Sequence, residues 1–154
     1  MTTYKNILCA TDFSPRCKVA AERAVEFARL LGSKLTFLHV VDHFPEDRSN
    51  QVIAPENEDP AAYREATARE SLAELASALG YRDAAQEVLL TTRAAKYEIL
   101  SFAADQQVDL IVVASRSYDG VLGLLGSTAS GLVNRASCDV LVVHAEKDLE
   151  VADC

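Results

Sequence analysis

Short apolar runs alternate with helix-length segments along almost the whole chain, and no other feature of the sequence constrains the fold so tightly. KNILCATD (residues 5–12) is too short and too uniformly apolar for an amphipathic helix, and it ends in a turn, as a strand buried on both faces does. FSPRCKVAAERAVEFARLLG follows: Ser14 can cap a helix, Pro15 suits its first turn, and Gly32 can close it. Ala20, Ala24, Phe27 and Leu31 recur there at helical spacing. The pattern repeats with KLTFLHVVD (34–42) and AAYREATARESLAELASALG, a helix opened by Asp59 and Pro60 and ended by Gly80. AQEVLLTT (85–92), AKYEILSFAADQQ (95–107), VDLIVVAS, GSTASGLVNRA and CDVLVVH complete it as strand, helix, strand, helix and strand.

Strands that alternate with helices predict right-handed crossovers and one doubly wound parallel sheet with helices on both faces. At 154 residues the chain has the size of one domain, and a 49% hydrophobic content supplies a sizeable core. The expected domain spans residues 1–146, with 147–154 as a flexible tail. Between the second strand and second helix lies the single long loop, acidic and proline-containing over residues 43–59, read as a solvated surface segment that could also cover a crevice as a lid. In such a sheet a ligand binds beyond the carboxyl ends of the strands, where strand order reverses. A central first strand brings Ala10 to Asp12 beside Ala114 to Ser117.

A net charge of −8 argues against nucleic acid or an anionic membrane as partner, because both are polyanions. The N-terminus lacks the apolar core of a signal peptide, and no apolar run reaches the roughly 20 residues that span a bilayer, so a cytoplasmic protein is expected. Cys9, Cys17, Cys138 and Cys154 show no CxxC spacing, which points to neither zinc nor a disulfide framework; Cys9 and Cys138 read as reduced thiols in or beside strands. His39, His43 and His144 do not form a metal-ligand pattern and read as packed or solvated side chains.

The segment ASRSYDGVLGLLGS, between the fourth strand and fourth helix, is the strongest candidate for chemistry. Small residues let backbone curl around a ligand, and the helix that follows offers amide donors and a positive dipole end to a phosphate. Ser127 and Thr128 add hydroxyls and Arg116 adds charge, although Gly126 and Ser127 also serve simply to turn and cap a helix. Neither GxxxxGK[ST] nor a GxGxxG after the first strand is present, which removes phosphate-loop ATPases and the usual dinucleotide dehydrogenases. A response-regulator receiver is excluded as well, because Asp12 stands alone after the first strand and no aspartate ends VLLTT.

Taken together and in order, NILCATDFSP, KLTFLHVVD and DLIVVASRSYDGVLGLLGSTASGLVNRASCDVLVVH resemble the universal stress protein family over nearly the full chain. The resemblance implies an adenine nucleotide alpha hydrolase-like fold, a five-stranded sheet in the order 3-2-1-4-5 and a homodimer formed largely along strand 5. Nucleotide-binding members carry Gly-x-x-Gly, a spacer of about nine residues and Gly-Ser or Gly-Thr, whose amides cradle ATP phosphates. Here Gly126 and Ser127 match, Ala114 and Ser117 stand at the earlier glycine positions, and eight residues separate Ser117 from Gly126. Alanine and serine are acceptable there if the backbone φ is negative, and Gly120 and Gly123 add freedom nearby.

By the same resemblance, Ala10 and Thr11 line the adenosine side, and Asp12 approaches the ribose or a nucleotide-bound magnesium. Backbone around Val40 and Val41 meets the adenine edge, while Ala114, Ser115, Arg116, Ser117, Gly120, Gly126, Ser127 and Thr128 surround the phosphates. Asp12 serves equally as a turn former ahead of FSPR. The expected function is therefore binding of ATP or a related adenine nucleotide by a stress-response dimer. Any hydrolysis is expected to be slow, since no base for water accompanies the charge stabilisation. The alternative is a dimeric adaptor that has lost the nucleotide site and acts through protein contacts.

Overall fold

The computed structural model describes residues 3–42, 54–115 and 126–144. Along them run β1 (Asn6–Ala10), α1 (Pro15–Leu31), β2 (Lys34–Asp42), α2 (Pro60–Ala78), β3 (Ala85–Thr91), α3 (Ala95–Asp105), β4 (Leu110–Ala114), α4 (Ser127–Arg135) and β5 (Asp139–Val143). The strands form one sheet in the order β3-β2-β1-β4-β5, and every neighbouring pair is parallel. The sequence expectation of fold class and strand order is met. The expected tail at 147–154, most of the acidic loop, and Arg116, Ser117 and Gly120 lie outside the described residues.

Strand periodicity explains why the central run is apolar throughout. Ile7 and Cys9 enter a core with Ala20, Ala24 and Ala28 of α1 and Leu72 of α2, whereas Leu8 and Ala10 enter a second core with Ile99 of α3 and Leu132 of α4. A polar residue at any of these four positions would lose its hydration without gaining a partner. Alanine dominates the buried face of α1, which carries Ala20, Ala21, Ala24, Val25 and Ala28, so this helix lies close against the sheet. Ala28 continues the stripe that the sequence pattern assigned to Leu31; Leu31 is only half-buried.

Local signals fix the helix ends. Ser14 Oγ accepts from the Cys17 amide at 3.3 Å, and Gly32 closes α1 at φ 65° with its own N–H donated to the Ala28 carbonyl. Asp59 and Pro60 open α2 as expected, although the Asp59 side chain makes no capping bond, and Gly80 follows its last turn at φ 67°.

The two ends of the sheet are finished differently. At the amino ends, Asp109 Oδ2 and Oδ1 accept from the Lys5 and Asn6 amides at 2.9 and 3.0 Å, which ties β1 to β4. At the carboxyl ends, α1 and α4 begin on opposite faces of the sheet and leave a cleft where β1 and β4 part company, the reversal point of the strand order.

Candidate functional site

The cleft begins at the turn after β1. Thr11 Oγ1 accepts from the Phe13 amide at 3.0 Å, and Asp12 Oδ1 accepts from the Ser14 amide at 2.9 Å. With the Ser14 cap, the polar side chains of Thr11, Asp12 and Ser14 are all spent on shaping the backbone between β1 and α1. Phe13 takes φ 66°, a left-handed conformation that a bulky residue adopts only when its surroundings hold it there. Those surroundings include His39 of β2, whose ring centroid lies 4.6 Å from that of Phe13.

His39 also lies 2.8 Å from the Thr11 carbonyl through Nδ1. A carbonyl only accepts, so Nδ1 carries the proton and the tautomer is set. Burial pushes the His39 pKa below its ordinary value, and the Thr11 carbonyl and the Asp12 charge oppose that shift less strongly. The imidazole is therefore neutral at pH 7. Cys17, in the first turn of α1, has its thiol pushed up to about 11, first by burial and then by the neighbouring Asp12 carboxylate, to which it is hydrogen-bonded.

From these parts the fold builds an open cleft of about 710 Å³, including space continuous with solvent. Ala10, Thr11 and Asp12 form one wall, Leu38, His39 and Val40 another, and Val113 and Ala114 a third. Gly126, Thr128 and Ala129 of the α4 entrance close it with Ala95 and Ile99 of α3 and with Ser14, Arg16 and Cys17 of α1. The lining combines apolar walls with a few polar groups, as ligand clefts do. Gly126 is the N-cap of α4 at φ −60° and brings no side chain of its own to cap the helix, and with Thr128 it sets the amide end of α4 at the cleft. Beside Ala95, the loop from β3 into α3 is stapled by Glu98 Oε1, which accepts from Thr91 Oγ1 at 2.9 Å and from Arg93 at 2.7 Å.

Of the residues singled out from the sequence, Ala10, Thr11, Asp12, Val40, Ala114, Gly126 and Thr128 come together in this one cleft. Val41 does not line it; its side chain packs against the core that holds Phe37, on the opposite strand face from Val40. Ser115 turns to β5, with its amide donated to the Val143 carbonyl at 2.9 Å and its hydroxyl 3.5 Å from His144 Nδ1. Ser127 begins α4 with an exposed side chain. Ala114 has no positive φ, which meets the condition for replacing glycine there. His39, Arg16 and Cys17 are cleft residues that the sequence reading passed over. Arg16 and Cys17 were within reach of it, because the first turn of a helix after a strand's carboxyl end borders the ligand crevice. Among the described residues no group of three or more His, Cys, Asp or Glu could hold a metal ion.

Comparison with known proteins places the chain in a family. The family model described as Universal stress protein family matches residues 3–144. Universal stress protein A homolog 1 of Coxiella burnetii is 34% identical over 140 residues, which cover 91% of this chain and 96% of that protein. Among solved structures, a universal stress protein in complex with cAMP superposes with a TM-score of 0.68 at 25% identity, covering 94% of this chain and 100% of the other. The Archaeoglobus fulgidus universal stress protein in complex with dAMP superposes with a TM-score of 0.61 at 23% identity, covering 92% and 98%. With the sheet order, the cleft at its reversal point and these matches in hand, the chain belongs to the universal stress protein family.

Proposed function

We propose that the cleft binds ATP or a related adenine nucleotide and that the protein acts as a nucleotide-responsive stress protein. The observation that carries this reading is the meeting, at one reversal point, of Asp12 and Ala114 with the amide end of α4 at Gly126 and Thr128. An anion is stabilised at such a helix end by amide donors and the helix dipole, and Arg16 lines the same cleft. Leu38, Val40 and Ile99 offer an apolar bed of the kind a purine ring needs, and the backbone of Val40 and Val41 is the edge along which adenine would be read. The relatives solved with cAMP and dAMP support an adenine ligand rather than another anion.

Magnesium fits this site only as part of the incoming ligand. Asp12 is the single cleft carboxylate among the described residues, and its Oδ1 already accepts from the Ser14 amide. Magnesium is held by one or two carboxylates together with nucleotide phosphates, so Asp12 would complete a coordination shell supplied largely by ATP and water. Arg116, Ser117, Gly120 and Ser127 belong to the phosphate side of the same proposal.

The proposed homodimer joins β5 to β5. Among the described residues this strand is one edge of the sheet and carries Val140, Leu141 and Val142 only half-buried, a stretch whose backbone edge calls for a covering partner. A cytoplasmic location completes the proposal; no helix among the described residues is long and apolar enough to cross a membrane.

Gly126→Val tests the nucleotide reading. Its backbone angle admits any residue, so the chain should fold and dimerise as before, while the added side chain enters the space proposed for phosphate. Loss of ATP binding with unchanged sedimentation is expected. Undiminished affinity would move the ligand elsewhere, and the adaptor reading would gain if neither protein bound nucleotide.

A further inference from the structure

One half-buried polar side chain of the cleft wall is not used by the proposed ligand contacts. His39 sits in a largely apolar strand between Leu38 and Val40, half-buried, and it touches the turn after β1 at two places. Nδ1 donates to the Thr11 carbonyl at 2.8 Å, and the imidazole lies against the Phe13 ring at a 35° interplanar angle. Asp12 is the residue between those two contacts.

We propose that His39 is a positioning residue for the ligand: by holding Thr11 and Phe13 from β2, it sets where the Asp12 carboxylate stands in the cleft. This rests on the nucleotide reading for the identity of the ligand. The Phe13 amide donates to Thr11 Oγ1 and the Ser14 amide to Asp12 Oδ1 within the turn, and the Cys17 thiol joins Asp12 to the start of α1; none of these reaches β2. Two bonds reach from Thr11 to β2: the Thr11 amide donates to the Leu38 carbonyl at 2.9 Å, and the Thr11 carbonyl accepts from His39. The first fixes the end of β1, and the second fixes the peptide plane that leads into Asp12.

A left-handed Phe13 persists only where neighbours over-determine it, and the imidazole is such a neighbour. Removing the ring would leave a buried carbonyl without its donor and a strained residue without its support. The carboxylate would then sample positions away from the ligand, and affinity would fall although no ligand contact had been deleted.

Magnesium–ATP titrations of His39→Leu, His39→Asn and His39→Gln, each alone and with Asp12→Asn, test this. The Asn amide nitrogen can stand where Nδ1 stood, whereas that of Gln reaches the Nε2 position and misses the Thr11 carbonyl. His39→Leu should weaken binding about tenfold or more, equivalent to about 1.4 kcal/mol. His39→Asn should recover most of that loss, and His39→Gln should not. In the Asp12→Asn background, His39→Leu should cost less than twofold, because the group it positions is already altered.

A His39→Leu protein that binds as well as the wild type, or loses the same factor with and without Asp12→Asn, would overturn the proposal. If His39→Leu does not fold, equal affinities of the Asn and Gln variants would overturn it in its place. Hydrogen exchange of the Phe13 and Ser14 amides without ligand separates this idea from the nucleotide reading. Exchange should be faster in His39→Gln than in His39→Asn; identical rates would refute the hold on the turn even if ATP binds. Failure of the wild type to bind ATP would refute the nucleotide reading and the ligand role, whatever the exchange rates.

Discussion

The Phe13 ring lies against the His39 imidazole with centroids 4.6 Å apart, and Phe13 holds that contact from a left-handed backbone at φ 66°. Two substitutions separate the ring from the backbone. Phe13→Ala loses the stacking and keeps the strained φ, whereas Phe13→Gly loses the stacking and relieves the strain. Glycine should therefore be the milder change, by about 1 kcal/mol, in urea unfolding of the two variants. A Phe13→Ala protein at least as stable as Phe13→Gly would mean that this φ is not strained.

Burial of His39 makes stability depend on pH in a defined direction. The folded pKa lies below the ordinary 6.5 because desolvation disfavours the imidazolium. Well above 6.5 the ring is neutral in both states. As pH falls through that value, the unfolded chain takes up the proton first, so unfolding becomes easier until the lower folded pKa is reached. The thermal midpoint of the wild type should drop more between pH 7.5 and the acid side of this window than that of His39→Asn. Parallel pH profiles for the two proteins would contradict a depressed His39 pKa.

The Ser14 hydroxyl is predicted to matter for stability more than its size suggests. It accepts from the Cys17 amide at 3.3 Å at the start of α1, the helix whose alanine face covers β1. Ser14→Ala should destabilise the protein by about 1 kcal/mol in urea unfolding, and Ser14→Asp, which can still cap, should recover most of it. Equal losses in both variants would argue against the cap.

Cys17 should react slowly with iodoacetamide. A thiol pushed up to about 11 by burial and by Asp12 leaves only about a thousandth as thiolate at pH 8. Cys9, fully buried under α1, should stay unmodified until the chain unfolds. Peptide mass analysis after timed labelling gives both rates, and saturating ATP should slow the Cys17 reaction further because that residue lines the cleft. Labelling of Cys17 at the rate of a solvent-exposed thiol would contradict the burial and the Asp12 contact.

The fold was legible because its signals are local or periodic. Ile7 to Ala10 are apolar on both strand faces, Ser14 and Gly32 bracket α1, and Asp59–Pro60 and Gly80 bracket α2. Alternation alone gave a doubly wound parallel sheet, and the resemblance supplied the order of its strands. In the sequence His39 reads only as a packed or solvated side chain, because its partner, the Thr11 carbonyl, is 28 residues away and is a backbone atom that no sequence pattern marks. The left-handed backbone of Phe13 was equally hidden, since a glycine, asparagine or aspartate would have announced it and phenylalanine does not. Val41 illustrates the opposite limit: a strand period of two separates it from Val40, yet a site read through backbone groups names both.

Calorimetric titration of the purified, nucleotide-free protein with magnesium–ATP tests the central claim most directly. Saturable binding at a dissociation constant on the order of millimolar or tighter, at least about 4 kcal/mol, is the predicted result. No heat, in protein shown to carry no nucleotide from purification, would contradict it and direct attention from the cleft to the proposed β5 interface.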